Sequence, residues 1–209
     1  PTVICSGQST TLTGGGATNY TWMPGGVTTN TVSVSPAGAT TYTATGNTGG
    51  CTATKTVSVA VNITPTVTVN SATVCSGTSS TLTATGATTY SWSTGATTNT
   101  ISVTPPTGTT TYTLTGTNGT CSATRTVSVV VTPTPTLSIS GTTALCSGQS
   151  TVLTGATATN YTWNPGGVNT NTISVTPPTG TTTYTLTGAN GTCTATRTVS
   201  VVVTATPTL

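Results

Sequence analysis

The chain has 209 residues with no aspartate, glutamate or histidine, and Lys55, Arg125 and Arg197 are its only charged side chains, for a net charge of +3. That excludes general acid–base catalysis and His-activated nucleophiles, which need a group titrating near neutrality beside the reacting atoms, and it removes the carboxylates that hard cations require. Three scattered cations make no basic patch and no run of 18 apolar residues is present, so no enzyme, no cofactor, no nucleic-acid partner and no membrane insertion is expected.

The elements repeat in chain order. Cys5, Cys75 and Cys146 open three copies of one block, Trp22, Trp92 and Trp163 each follow seventeen positions later, and Cys51, Cys121 and Cys193 close them. A period of about 70 residues exceeds the common solenoid units of about 20 to 50 and predicts one small β domain per copy. In the middle copy, alternation of period two broken by Gly, Pro and Asn predicts strands near 67–69, 81–85, 89–93, 100–104, 110–117 and 122–131. Asn118-Gly119 and Asn190-Gly191 predict type I′ hairpins before the last strand. Arg125 falls on the inward parity of that strand, which a β-bulge or a place at the sandwich rim resolves.

Thr64-Pro65 and Thr132-Pro133-Thr134-Pro135 mark short extended linkers. The expected domains are 1–64, a first repeat lacking the leading strand that 67–69 and 137–139 supply to the others; 65–133; 134–204; and 205–209, the start of a further repeat or a donated strand. Thr206-Pro207-Thr208-Leu209 matches Thr134-Pro135-Thr136-Leu137, which makes it the expected end-to-end junction. Pro1 to Cys5 already lies inside the first copy, so the sequence reads as a mature segment.

Within each copy the cysteines are 46, 46 and 47 residues apart (51−5, 121−75, 193−146). One bridge per copy is the expectation, Cys5–Cys51, Cys75–Cys121 and Cys146–Cys193, in an oxidising compartment. Each would stabilise its copy by about 4 kcal/mol. Trp22, Trp92 and Trp163 are expected core residues, each sharing a strand face with Tyr20, Tyr90 or Tyr161.

The elements Cys5-Ser6-Gly7, Tyr20-x-Trp22, Thr41-Tyr42-Thr43 ahead of a Gly-Cys (Gly50-Cys51) or Gly-Thr-Cys, and the valine-rich end of each copy occur in all three copies. The chain thereby resembles the tandem immunoglobulin-like or PKD-like repeats of large secreted cell-surface proteins of Bacteroidota, of the gliding-adhesin type. The resemblance implies an all-β chain of three tandem immunoglobulin-like β-sandwiches, each with one internal disulfide. It departs from the family in lacking acidic residues in the turns and where Lys55, Arg125 and Arg197 sit, and in lacking the sorting domain of type IX secretion substrates. Tyr112 precedes Cys121 by nine residues, unlike the two of antibody domains, so the bridge is expected to pin the start of the second strand to the last.

About a third of the positions are threonine and only 1% are charged, against about 25% in ordinary soluble domains. Such a surface favours association or a sugar coat. The expected function is structural: a repeat segment of an extracellular surface filament or adhesin stalk that assembles end to end. Its partner would be itself in a head-to-tail polymer, or neighbouring repeats of a longer chain. The alternative is a binding module whose Thr- and Tyr-rich faces adhere to surface glycans, other polysaccharide or ice.

Overall fold

A computed structural model describes residues 2–207, and no helix occurs among them. The first copy contains β1 (Thr2–Cys5), β2 (Thr10–Thr13), β3 (Asn19–Met23), β4 (Thr31–Val34), β5 (Thr40–Thr48) and β6 (Cys51–Asn62). In the second, β7 (Thr68–Val69), β8 (Ala72–Cys75), β9 (Ser80–Thr85), β10 (Thr89–Trp92), β11 (Thr100–Val103), β12 (Gly108–Asn118) and β13 (Cys121–Thr132) follow. The third has β14 (Ser138–Ser140), β15 (Ala144–Cys146), β16 (Thr151–Ala156), β17 (Asn160–Asn164), β18 (Thr172–Val175), β19 (Gly180–Asn190) and β20 (Cys193–Thr204).

Every sheet draws its strands from one copy. The four-stranded sheets run β1-β6-β5-β3, β10-β12-β13-β8 and β15-β20-β19-β17, and the smaller ones β2-β4, β11-β9-β7 and β14-β16-β18. These are three tandem immunoglobulin-like sandwiches. Alternation builds them: in β16, Thr151, Leu153 and Gly155 turn inward while Val152 and Ala156 are exposed. In the third copy Leu153, Ile173 and Val175 of the small sheet pack with Trp163, Leu186 and Val201 of the large one. The first copy's core is smaller, Ile4, Leu12, Trp22, Val34, Tyr42 and Val59.

Contacts gather the chain into two compact units, Pro1–Asn70 with Thr81–Ile101 and Thr111–Val127, and Ser71–Ser80 with Ser102–Thr110 and Ser128–Leu209. The passage from first copy to second falls wholly inside one unit, and that from second to third inside the other.

Two local expectations need correction. The short strands that carry the opening cysteines, β1, β8 and β15, pair in parallel with the last strand of their copy and were not anticipated. The hairpin loops are Gly119-Thr120 and Gly191-Thr192, with Asn190 paired to Cys193 as a strand residue. Among these loop residues only the glycines have positive φ, 60° and 57°, so the turns are not type I′, which needs positive φ at both central residues. Of the two ways to accommodate Arg125, the third copy argues against a bulge: its equivalent Arg197 faces Leu186 in an unbroken register, and both arginines are exposed.

Candidate functional site

The bridges do not close single copies. They are Cys5–Cys121, with Cα atoms 5.6 Å apart, and Cys75–Cys193, 5.5 Å apart, while Cys51 and Cys146 are free and exposed. Strand length is the reason. Cys5 pairs with Asn62 at the far end of β6, whereas Cys51 is that strand's first residue, eleven positions away (62−51). At about 3.3 Å per residue this is roughly 36 Å, far beyond the ~7 Å limit for a disulfide. The same ruler separates Cys75, opposite Thr132, from Cys121, and Cys146, opposite Thr204, from Cys193. An opening cysteine therefore sits where its copy ends, beside the closing cysteine of the next. The enclosed loops, with separations of 116 and 118 residues, each restrict the unfolded chain by about 5 kcal/mol on the chain-entropy model.

Each junction is further fixed by a leading segment laid across the incoming copy. Val67 lies over Gly116, where an added Cβ would stand 2.5 Å from its Cγ2, and Leu137 lies over Gly188, at 2.3 Å from its Cδ2. Only glycine admits so close an approach. A Cβ on Gly86 would likewise meet the Thr66 carbonyl oxygen at 2.0 Å. The third copy has Thr157 there instead, at φ 76°, and its hydroxyl donates to the carbonyl of Thr136. Past these contacts Val69 pairs with Ala84 in β9 and Ile139 with Gly155 in β16.

An asparagine ties the joint. Asn118 Oδ1 accepts from the Thr88 N–H at 2.8 Å, and its Nδ2 donates to the Ile63 carbonyl at 3.4 Å. Asn190 does the same toward the Thr159 N–H at 3.0 Å and the Pro133 carbonyl at 3.0 Å. On the other side of each joint, Ser6 Oγ accepts from the Thr64 N–H and Ser76 Oγ from the Thr134 N–H, both at 3.0 Å.

The first copy presents the same surface uncovered. Among the described residues, the only close neighbour of an added Cβ on Gly46, besides the Tyr20 ring edge and the Ala53 carbonyl, is Ala17, and around Gly16 nothing lies within 4 Å. A groove of about 830 Å³ results, lined among others by Leu12, Ala17, Tyr20, Trp22, Gly46 and Cys51. β2 stops at Thr13, whereas its counterparts run two residues further, and its sheet has two strands instead of three, as the missing leading strand predicts. Thr48 occupies the place of Asn118. Its Oγ1 accepts from the Thr18 N–H at 3.1 Å, but it has no amide to hold an incoming carbonyl.

The aromatic residues are structural. Trp22, Trp92 and Trp163 are buried, and their indole N–H groups donate to the carbonyls of Thr29, Thr98 and Thr170. The hydroxyls of Tyr20, Tyr90 and Tyr161 accept from the backbone N–H of Ala17, Ala87 and Ala158. Of the expected junction tail, Thr206 and Pro207 are exposed, and Thr208 and Leu209 lie outside the described residues. The roles of Gly116, Gly188, Asn118 and Asn190 escaped the sequence reading. Their signal is placement, the glycine five positions and the asparagine three before each closing cysteine of the second and third copies.

No protein-family model matches the chain, and no curated protein matches it in sequence. Solved structures do. A three-Ig fragment of titin in an E-to-A variant is 14% identical with a TM-score of 0.53, covering 97% of this chain and 95% of that one. An I-band fragment of titin is 13% identical with a TM-score of 0.52, over the same shares. The mouse nectin-like molecule 4 ectodomain, Ig1 to Ig3, is 15% identical with a TM-score of 0.43, covering 100% and 98%. At these identities the likeness to titin speaks for the fold: tandem immunoglobulin-like domains.

Proposed function

We propose that this chain is a structural, extracellular repeat segment of a surface filament or adhesin stalk, of the kind its resemblance to Bacteroidota repeats implies, and that it assembles end to end. Domains 1–64, 65–133 and 134–204 are its rigid links. The observation that carries the reading is the open groove of the first copy. It is the surface that Val67 and Leu137 cover in the other two copies, and the tail Thr206-Pro207-Thr208-Leu209 repeats the sequence of the covering segment Thr134-Pro135-Thr136-Leu137. A second copy's tail laid in the groove adds a backbone edge and buries one leucine, worth about 1.5–3 kcal/mol. A contact of tail on groove is heterologous and does not close on itself, so it propagates. Two disulfides and a nearly uncharged surface agree with an oxidising exterior and with association.

The test is electron microscopy and light scattering of the 209-residue chain beside a variant ending at Ala205, with and without a peptide of the sequence Thr134–Ile139. End-to-end particles are expected from the full chain, short ones from the truncated variant, and loss of elongation when the peptide is present. Fibres of equal length from the truncated chain would sink the reading.

A further inference from the structure

The two free thiols are not stray cysteines, because each is built like a bridged counterpart. Cys146 ends a parallel strand opposite Thr204, as Cys5 does opposite Asn62 and Cys75 opposite Thr132. The turn after it is the same in all three copies: the Ser147 N–H donates to the Thr204 carbonyl at 2.9 Å, as Ser6 does to Asn62 at 2.8 Å and Ser76 to Thr132 at 2.9 Å. Cys51 begins the long last strand after a two-residue loop, as Cys121 and Cys193 do. It also lines the groove that a leading segment would cover. Its counterparts, with junctions formed, are only 1% exposed. The chain thus holds two complete junction bridges and one half of each of two more, an opening thiol at one end and a closing thiol at the other.

We propose that Cys146 of one copy and Cys51 of the next form a disulfide that repeats Cys5–Cys121 and Cys75–Cys193, so that an end-to-end assembly is covalently closed at every joint. This rests on the end-to-end reading, since only a seated junction brings the two sulfurs together. Two S–H bonds break and one S–S bond forms. The two protons and the two electrons pass to a low-molecular-weight disulfide, which is reduced to two thiols. Both thiols are exposed and at opposite termini of their strands, so the pairing is head to tail.

The experiment oxidises the full chain with glutathione disulfide and reads it on denaturing gels without reductant, beside C51S, C146S, their equimolar mixture and the double variant. Serine at these exposed positions leaves both internal bridges in place. The native sequence is expected to give a ladder of covalent multimers that reductant returns to one band of 20.4 kDa. Neither single variant should pass the monomer, and the mixture should stop at one heterodimer, joined Cys146 to Cys51 by peptide mapping. Covalent dimers from a single variant alone mean Cys51–Cys51 or Cys146–Cys146 pairing and overturn the proposal. Long particles that keep two free thiols per chain overturn the bridge while sparing the end-to-end reading. Short particles with free thiols, in both redox states, overturn both.

Discussion

The first and third copies start from nearly the same sequence pattern and differ in how completely they are built. In the third, Leu137 covers Gly188, Leu186 is fully buried in the same core, and Cys193 is sealed at 1% exposure. In the first, Ala44 stands where Leu114 and Leu186 stand in the others, no leading segment covers Gly46, and Cys51 is exposed. The difference is the leading segment, 65–69 in the second copy and 134–139 in the third. An immunoglobulin-like copy here is thus completed by the leading segment that joins it to the copy before, and a junction is as much a unit of the fold as a sandwich is. That explains why the compact units gather around the two joints instead of the three copies.

The sharpest way to break the comparison is through the bridges. Cys121→Ser removes a closing cysteine that is bridged, and it should cost about 2–5 kcal/mol in chemical denaturation followed by tryptophan fluorescence. Cys51→Ser, at the same position of the first copy, should change stability by less than about 0.5 kcal/mol because nothing is bound to that sulfur in the isolated chain. Equal losses would mean that the two cysteines are equivalent and the pairing wrong.

Next in size is the covering side chain. Leu137→Ala should destabilise the third copy by about 2–3 kcal/mol, toward the low end for a buried leucine because it keeps 6% exposure where Leu153 and Leu186 have none. The complementary measurement adds the Thr134–Ile139 peptide to the intact chain. It should protect Cys51 from a thiol label and leave labelling of Cys146 unchanged. A peptide that protects neither, at concentrations that saturate binding, removes the equivalence of the groove to the filled joints.

Why so much of this was legible, and some not, follows from what repetition can encode. Copy number, strand positions and buried tryptophans follow from spacing and alternation, which are local. The pairing of cysteines is not local, and a strict repeat hides it: 46, 46 and 47 within copies is as regular as 116 and 118 between them. What decides is that the last strand spans twelve residues from Cys121 to Thr132, with the opening cysteine held at its far end by a parallel strand. That strand, four residues of mixed character at Ala72–Cys75, carries too little periodicity to announce itself. The asparagine of the hairpin was visible, but its turn signal concealed its use as a clamp on the linker carbonyl.

The glycines beneath the leading segment test the same contrast at smaller scale. Gly188→Ala places a methyl carbon 2.3 Å from Leu137 Cδ2 and 2.9 Å from Ala158 Cβ, so the leucine must shift at a cost of about 1–3 kcal/mol. Gly46→Ala meets only Ala17 at 2.8 Å among side chains nearer than 3.5 Å, and the groove beside it gives room to yield. Its cost should be smaller by at least about 1 kcal/mol in paired unfolding measurements; equal costs would show that the groove does not relieve the contact.

The smallest expected effect concerns Thr157, the only non-glycine among the described residues with positive φ, at the place where the other copies have Gly16 and Gly86. A β-branched residue in the left-handed region carries a strain of about 1–2 kcal/mol. Its hydroxyl donates to the Thr136 carbonyl of the leading segment, a contact worth about 1 kcal/mol. These nearly cancel, so Thr157→Gly, which relieves the strain and loses the bond, should lie within about 1 kcal/mol of the native chain. Thr157→Ala keeps the strain and loses the bond, and should be less stable than Thr157→Gly by about 1–2 kcal/mol. If alanine proves the better of the two, the positive φ is not what this position demands, and the leading segment is held without help from the turn beneath it.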